Sequence, residues 1–299
     1  MIQEASRPDA ANSATVLIVG CGDIGCRIAA LEQQAGNEVA ALARSATSAR
    51  RLQSLGIDVL EGDLDQPASL ESLKTTAPWV LYYLAPPPGS GDNDPRLRNW
   101  LRARQPQPQR FVYISTSGVY GDCGGAWIDE DWPLNPRSER GKRRLDAENQ
   151  LRAWSREQGM DLIILRVPGI YGPGRLPVER VRQGVPVLIE TDAPWSNRIH
   201  ADDLAAACFA AARRGRSGQA YNISDGHPTT MTDYFWRIAD LYGLPRPPAV
   251  SMAEARRVLS PNMLSFLEES KRLDTRRMRE ELGVALRYPD LASGLPTCL

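Results

Sequence analysis

The chain has 299 residues, enough for two domains or for one large α/β domain carrying a smaller lobe. Its 36 lysines and arginines balance 36 aspartates and glutamates, so no net field points to nucleic acid or an anionic membrane, and a small-molecule partner is expected. No run of about 18 apolar residues could span a bilayer, and the polar start lacks the apolar core of a signal peptide, which makes a cytoplasmic protein the expectation. Cys21, Cys26, Cys123, Cys208 and Cys298 are odd in number and scattered, as reduced thiols are, and with only His200 and His227 present no metal site is expected.

Residues 1–14 read as a loose tail. The run VLIVGCGDIG, Val16 to Gly25, then sets an apolar strand directly before three spaced glycines and a helix. Gly20 permits a tight turn, Gly22 lets the backbone approach a pyrophosphate, and Gly25 lets the helix lie close to its strand. The helix N-terminus would face the phosphates with unpaired N–H groups. Gly20, Cys21, Gly22, Asp23, Ile24 and Gly25 are therefore candidate cofactor-binding residues, the competing reading being an ordinary glycine turn. The second strand ends in VAALARS, without the acid that would hold a ribose 2′-hydroxyl. Arg44 stands there instead, followed by Arg50 and Arg51. A guanidinium can pair with a 2′-phosphate, so NADP is favoured, with NAD the alternative.

Apolar runs at 16–19, 38–42, 57–60, 79–84, 111–114 and 162–165 alternate with longer amphipathic segments. Such alternation predicts a Rossmann-type doubly wound parallel sheet over residues 15–165. Beyond Arg166 the composition shifts to Pro, Gly and Arg, with a strand predicted at Val187–Ile189 and helices near Asp202–Arg213 and Thr232–Tyr242. The stiff connector LPRPP, 244–248, precedes a helical region from Met252 to Leu282. Residues 166–299 form the expected small C-terminal substrate lobe, crossing back to the first domain in part.

Directly after the strand at 111–114 comes STSGVYG, 115–121, at the carboxyl end of a sheet strand, where α/β folds bind ligands. With VLIVGCGDIG, the turn Gly62-Asp63-Leu64, RVPGIYGPGR at 166–175, RIHADDLA at 198–205 and LDTRRMREELG at 273–283, the chain resembles the extended short-chain dehydrogenase/reductases, the NAD-dependent epimerase/dehydratase family, over nearly all of residues 15–295. The resemblance implies that Thr116 is the catalytic Ser/Thr, hydrogen-bonding the substrate oxygen during hydride transfer. It implies further that Asp63 and Leu64 contact adenine, that Ala85 and Pro86 pass the adenosine ribose, and that Pro168, Gly169 and Ile170 border the nicotinamide. A plain turn is the alternative role for Asp63. The helix around Arg140–Arg156 is the element that pairs subunits in that family, which makes a homodimer the assembly to expect.

The family expects Tyr-x-x-x-Lys about two dozen residues after the catalytic Ser/Thr. Here the segment is PRSERGKRRLDAE, 136–148, with Arg140 in the tyrosine register and Arg144 in the lysine register. Arginine stays charged, with a pKa above about 12, and cannot exchange a proton near neutrality. Spaced i and i+4, the two could share a carboxylate, phosphate or ribose, or could be solvated charges. Tyr120 and Tyr171 are the nearest substitute acids, Tyr120 belonging to the VYG turn. Gly169 and Ser196 stand where sugar-nucleotide epimerases carry Asn and Arg. Arg198 could bind an anion or pair with Asp202 or Asp203, while His200 and Asp202 read as structural, the acid capping the next helix. Three functions follow: an NAD(P)-dependent oxidoreductase working without the Tyr-Lys pair on a small, anionic or neutral, carbonyl or hydroxyl substrate; a non-catalytic NADP-binding sensor or scaffold; and, most weakly, a sugar-nucleotide epimerase or dehydratase.

Overall fold

The computed structural model describes residues 15–73, 75–103 and 105–299, so the tail expected at 1–14 lies outside the described residues. The chain begins with β1 (Thr15–Val19), α1 (Asp23–Gln34), β2 (Glu38–Ala43), α2 (Ala46–Gln53), β3 (Asp58–Glu61), α3 (Pro67–Glu71) and β4 (Val80–Tyr83). It continues with α4 (Pro95–Arg102), β5 (Arg110–Thr116), a 3-10 turn (Ser117–Tyr120), β6 (Trp127–Ile128), α5 (Glu139–Gln158) and β7 (Asp161–Val167). Then come β8 (Gly169–Tyr171), α6 (Val178–Arg182), β9 (Val187–Leu188), β10 (Trp195–Ser196), β11 (Arg198–His200), α7 (Ala201–Arg214) and β12 (Ala220–Asn222). The last elements are β13 (Thr229–Thr230), α8 (Met231–Leu241), β14 (Ala249–Val250), α9 (Met252–Val258), α10 (Pro261–Leu267), β15 (Arg272–Leu273), α11 (Arg276–Leu282) and α12 (Leu291–Gly294).

Seven strands form one parallel sheet in the order β12-β7-β5-β4-β1-β2-β3. Its central strands are apolar on both faces because helices cover both, as a parallel sheet requires. On one side Ile18, Val112, Ile163 and Leu165 pack with Ile28 of α1 and Leu204 and Cys208 of α7. On the other, Leu17, Leu81, Phe111 and Leu162 meet Trp100 of α4 and Leu151 of α5. A separate core, with Tyr171, Val187, Tyr234, Phe235, Ile238, Leu291 and Leu295, belongs to the later segments.

The boundary drawn at 165/166 falls inside β7, and the chain returns from the lobe to build β12 at the sheet edge and α7 beside α1. The region 252–282 is not one helical stretch. Ser260 is extended before Pro261, as residues before proline tend to be, which separates α9 from α10, and β15 then pairs with β6 before α11 begins. Among the described residues no helix is long and apolar enough to cross a membrane.

Candidate active site

The strand order reverses at β1, whose neighbours are β2 and β4. In a doubly wound sheet this switch point opens a crevice at the carboxyl ends of the strands. A cleft of about 640 Å³ lies there, walled by the Gly20–Gly25 turn, the ends of β2 and β4, the 62–65 turn and parts of α4, α5 and β8. Two backbone features shape it. The N–H groups of Leu84 and Ala85 donate to the Val19 carbonyl at 2.8 and 3.1 Å, drawing the chain after β4 against the glycine turn. Gly20 accepts this approach only because it lacks a side chain: its φ is +93°, and a Cβ would stand 2.4 Å from the Ala85 nitrogen.

Gly22 caps α1 without a side-chain cap bond, and a Cβ there would meet nothing within 4 Å. The missing side chain thus leaves bare backbone and a helix N-terminus facing the cleft, which fits a pyrophosphate. Of the candidate cofactor residues, Gly20, Cys21, Gly22, Asp23, Ile24, Gly25, Arg44, Asp63, Leu64, Ala85, Pro86 and Ile170 all wall this one cleft, while Pro168 and Gly169 do not. Asp63 also makes a turn, its carboxylate accepting from the Asp65 N–H at 3.0 Å.

The lining charges are uneven: Arg44, Arg51, Arg96, Arg144 and Arg175 face Asp23, Asp63 and Asp65. Arg96 forks onto Asp65 at 2.6 and 2.8 Å and donates to the Pro86 carbonyl at 3.0 Å, and that bonding holds the Asp65 carboxyl below its usual range. Arg175 donates to Asp23 at 2.9 Å, and Asp23 also pairs with Arg27, which bonds Asp202. Arg51 donates to the Cys21 carbonyl at 2.8 Å and to the Cys26 sulfur at 3.2 Å. Sequence reasoning missed Arg96 and Arg175 as cleft residues. The available signals were the Asp94-Pro95 helix start after β4 and the final residue of the YGPGR turn.

Thr116 ends β5 in register with Val167, so it stands beside the Pro168–Ile170 segment; its hydroxyl accepts from the Gly118 N–H at 3.2 Å, and it is not among the residues walling the cleft. Arg140 and Arg144 do not converge on a shared anion position. Arg144 turns to the strand end, donating to the Tyr113 hydroxyl and the Ile114 carbonyl, each at 3.1 Å, and walls the cleft with Ile114. Arg140 turns to the lobe, donating to the Ser265 hydroxyl at 2.7 Å, pairing with Glu269 at 3.6 Å and stacking 3.7 Å from the Phe266 ring centre. Each guanidinium goes to the acceptors its own helix turn can reach, and those lie on different elements. Lys142 pairs with Asp92 instead.

The substitute acids are both tied into the frame. The Tyr120 hydroxyl donates to Asn222 at 2.8 Å and accepts from Arg166, which forks onto Glu148 beneath the site. Tyr171 donates to the Asp290 carbonyl at 3.2 Å. Burial pushes both phenols well above their usual range.

Arg198 forms no ion pair with Asp202 or Asp203. Asp202 holds Arg27, and Asp203 accepts from the N–H groups of Arg287 and Tyr288. Arg198 is buried, donates to the Asn197 carbonyl and the Met231 sulfur, and stacks on Tyr234 at 4.1 Å. Its guanidinium fills the space over Gly169, where a Cβ would lie 2.6 Å away. Nearby, burial raises the Asp225 carboxyl to about 7, and its Oδ2 has no hydrogen-bond partner. The cap of α7 is His200, whose Nδ1 accepts from the Asp202 N–H at 3.2 Å, so the cap expected from Asp202 is supplied two residues earlier.

A glycine turn at the switch point of a seven-stranded parallel sheet, with a cationic cleft over it, defines a dinucleotide-binding protein of the Rossmann type. Residues 16–224 match the model of the NAD dependent epimerase/dehydratase family, and the chain belongs to that family. A conserved protein of unknown function from Silicibacter pomeroyi is 32% identical with a TM-score of 0.79, the match covering 95% of this chain and 97% of that one. UDP-glucose 4-epimerase from Thermus thermophilus, solved as a complex with NAD, shares the fold at 23% identity and a TM-score of 0.75, over 95% of this chain and 97% of its own. Among curated relatives, dTDP-glucose 4,6-dehydratase from Streptomyces niveus is 32% identical over 133 residues, 40% of this chain and 38% of that protein, so the match spans well under half of either.

Proposed function

We propose that the chain is an NADP-dependent oxidoreductase of an atypical branch of its family, one that works on a small carbonyl or hydroxyl substrate without the Tyr-Lys pair. The observation that carries this reading is Arg144: it stands in the lysine register yet reaches the cleft wall, beside Ile114 and on the same cleft as Ile170. A nicotinamide cofactor, when bound, supplies the hydride. Gly20–Gly25 would hold its pyrophosphate, Asp63, Leu64, Ala85 and Pro86 its adenosine, and Ile170, carried on the Pro168–Gly169 segment outside the cleft wall, would border its ring. Arg44, on the exposed rim after β2, suits a 2′-phosphate better than a bare ribose, which favours NADP over NAD.

Thr116 would orient the substrate oxygen, and Arg144 would add positive charge where the oxygen gains negative charge. Neither arginine can exchange the proton, and Tyr120 and Tyr171 are held in structural bonds, so the proton comes from water or from the substrate. The capture of Arg140 by Ser265, Phe266 and Glu269 favours one second reading, a non-catalytic NADP sensor whose lobe is set by cofactor occupancy. The sugar-nucleotide chemistry named for the Streptomyces relative is less well supported, because Gly169 and Ser196 leave out the Asn and Arg and Arg198 fills the vacated space.

The test is transfer of deuterium from C4-labelled NADPH, in both stereoisomers, to any component of a metabolite extract, read by mass spectrometry. Protein-dependent label that falls at least about tenfold with Thr116→Ala, while NADPH affinity stays within about twofold, supports the oxidoreductase. Saturated NADPH binding with no label shifts the reading to the sensor.

A further inference from the structure

The turn that would seat the pyrophosphate carries two thiols in contact. Cys21 lies between Gly20 and Gly22, Cys26 lies on the first turns of α1, and their sulfurs are 4.0 Å apart. Both are free cysteines. Arg51 of α2 ties the pair together, one guanidinium nitrogen on the Cys26 sulfur and another on the Cys21 carbonyl. Cys21 and Arg51 both wall the cleft. The backbone of the turn is closed on itself, Gly22 N–H to the Gly20 carbonyl at 2.8 Å and Cys26 N–H to the Gly22 carbonyl at 2.9 Å, so a shift at either sulfur is felt by the whole turn.

We propose that Cys21 and Cys26 are a redox-active dithiol that small-molecule disulfides oxidise to an intramolecular disulfide, and that this disulfide weakens cofactor binding. The coupling rests on the cofactor reading of the cleft given above; the disulfide itself does not. A disulfide needs its sulfurs about 2.05 Å apart, roughly half the present separation, so the bond draws the Cys21 turn toward α1. It also consumes the thiol that accepts one of the two Arg51 bonds, leaving the guanidinium at the cleft wall held by the Cys21 carbonyl alone.

Cys26 is the entry point. It is the more exposed of the two and carries the cationic neighbour, whereas burial, with the Cys26 sulfur beside it, pushes the Cys21 thiol up to about 12. The Cys26 thiolate attacks one sulfur of glutathione disulfide, the sulfur–sulfur bond breaks, and one glutathione leaves as a thiol. Cys21 gives its proton to solvent and attacks the Cys26 sulfur of the mixed disulfide, expelling the second glutathione. The protein loses two electrons and two protons, and glutathione disulfide gains them as two thiols.

The experiment equilibrates the full chain with mixtures of reduced and oxidised glutathione, blocks free thiols, and reads mass and NADPH affinity on the same samples. No lysine or arginine lies between residues 21 and 26, so trypsin leaves both cysteines in one peptide ending at Arg27, while cleavage at Asp23 separates them unless they are bonded. The expected result is a tryptic peptide lighter by two hydrogens, whose halves stay joined after cleavage at Asp23, with NADPH affinity lowered at least about tenfold. Saturating NADPH should slow its formation. Cys26→Ser should form no such bond, and its affinity should not respond to the glutathione ratio. Glutathione adducts without the internal bond, or an internal bond with unchanged affinity, would overturn the proposal. If the reduced protein binds no NADPH, the cofactor reading and the coupling fall together, and the mass readout still decides the dithiol.

Discussion

The glycine turn at β1 walls the cleft, and the arginine pair of α5 reaches it through Arg144 but not Arg140; the two regions are built by different means. The turn is a backbone object: a positive φ at Gly20, a chain drawn in by the Val19 carbonyl, and an open Gly22 fix its shape before any side chain is placed. The arginine face is a side-chain object. Arg140 and Arg144 leave one helix one turn apart and end on different elements, the lobe and the sheet. Backbone-built sites tolerate few residues and announce them, while long cations take whichever acceptors lie within reach.

Substitutions can break that contrast. The largest effect is expected at Gly20→Ala, where the new Cβ meets the Ala85 backbone at a positive φ. Strain of this kind costs on the order of 1–3 kcal/mol, so NADPH affinity measured by fluorescence titration should fall about 10- to 100-fold with a lower Tm. Unchanged binding would show that the turn is not the cofactor seat. Next, Arg144→Met removes the α5 cation that walls the cleft and should weaken NADPH about tenfold, a charge-assisted bond to a bound ribose or phosphate being worth about 1.5–3 kcal/mol. Arg140→Ala should leave NADPH affinity within about twofold. Equal losses in the two variants would mean that both arginines serve the cofactor, and the asymmetry would be gone.

The smallest effect sharpens the lobe side. The buried Asp225 carboxyl is raised to about 7, so the folded protein holds its proton more tightly than the unfolded chain does. Its contribution to stability is therefore full below the ordinary carboxylate range and is lost as pH rises through about 7. Asp225→Asn keeps an acceptor for the His227 N–H and replaces the unpartnered oxygen with a neutral amide. At pH 8 it should melt a few degrees above the parent, roughly 2 °C per kcal/mol regained for a chain of this size, with the advantage gone near pH 4. A parent Tm that does not change relative to the variant between those pH values would count against the raised carboxyl.

The sheet was legible because its strands are apolar runs bounded by glycine and charged turns; the predicted run 111–114 extends to Arg110–Thr116 and 162–165 to Asp161–Val167. The seventh strand, Ala-Tyr-Asn at 220–222, was not, because three residues carry no period and its place is set by pairing with β7. The cleft residues were legible for the same reason as the turn. Arg96 and Arg175 were not, since a single arginine on a helix or after a turn has no spacing that marks its target. Arg198 had acids four and five residues ahead, yet β11 sends its side chain over Gly169 and onto Tyr234, away from both.

The return of the chain to β12 also bears on how the protein is made. Residues 168–219 lie between β7 and the strand that completes the sheet edge beside it, and α7, which covers α1, falls within that interval. An emerging chain that has reached the end of β7 therefore has six strands, an unpaired edge and an uncovered apolar helix face. Its sheet becomes whole only after the first part of the C-terminal lobe, residues 168–219, has been synthesised, so the two regions are joined in time as well as in space.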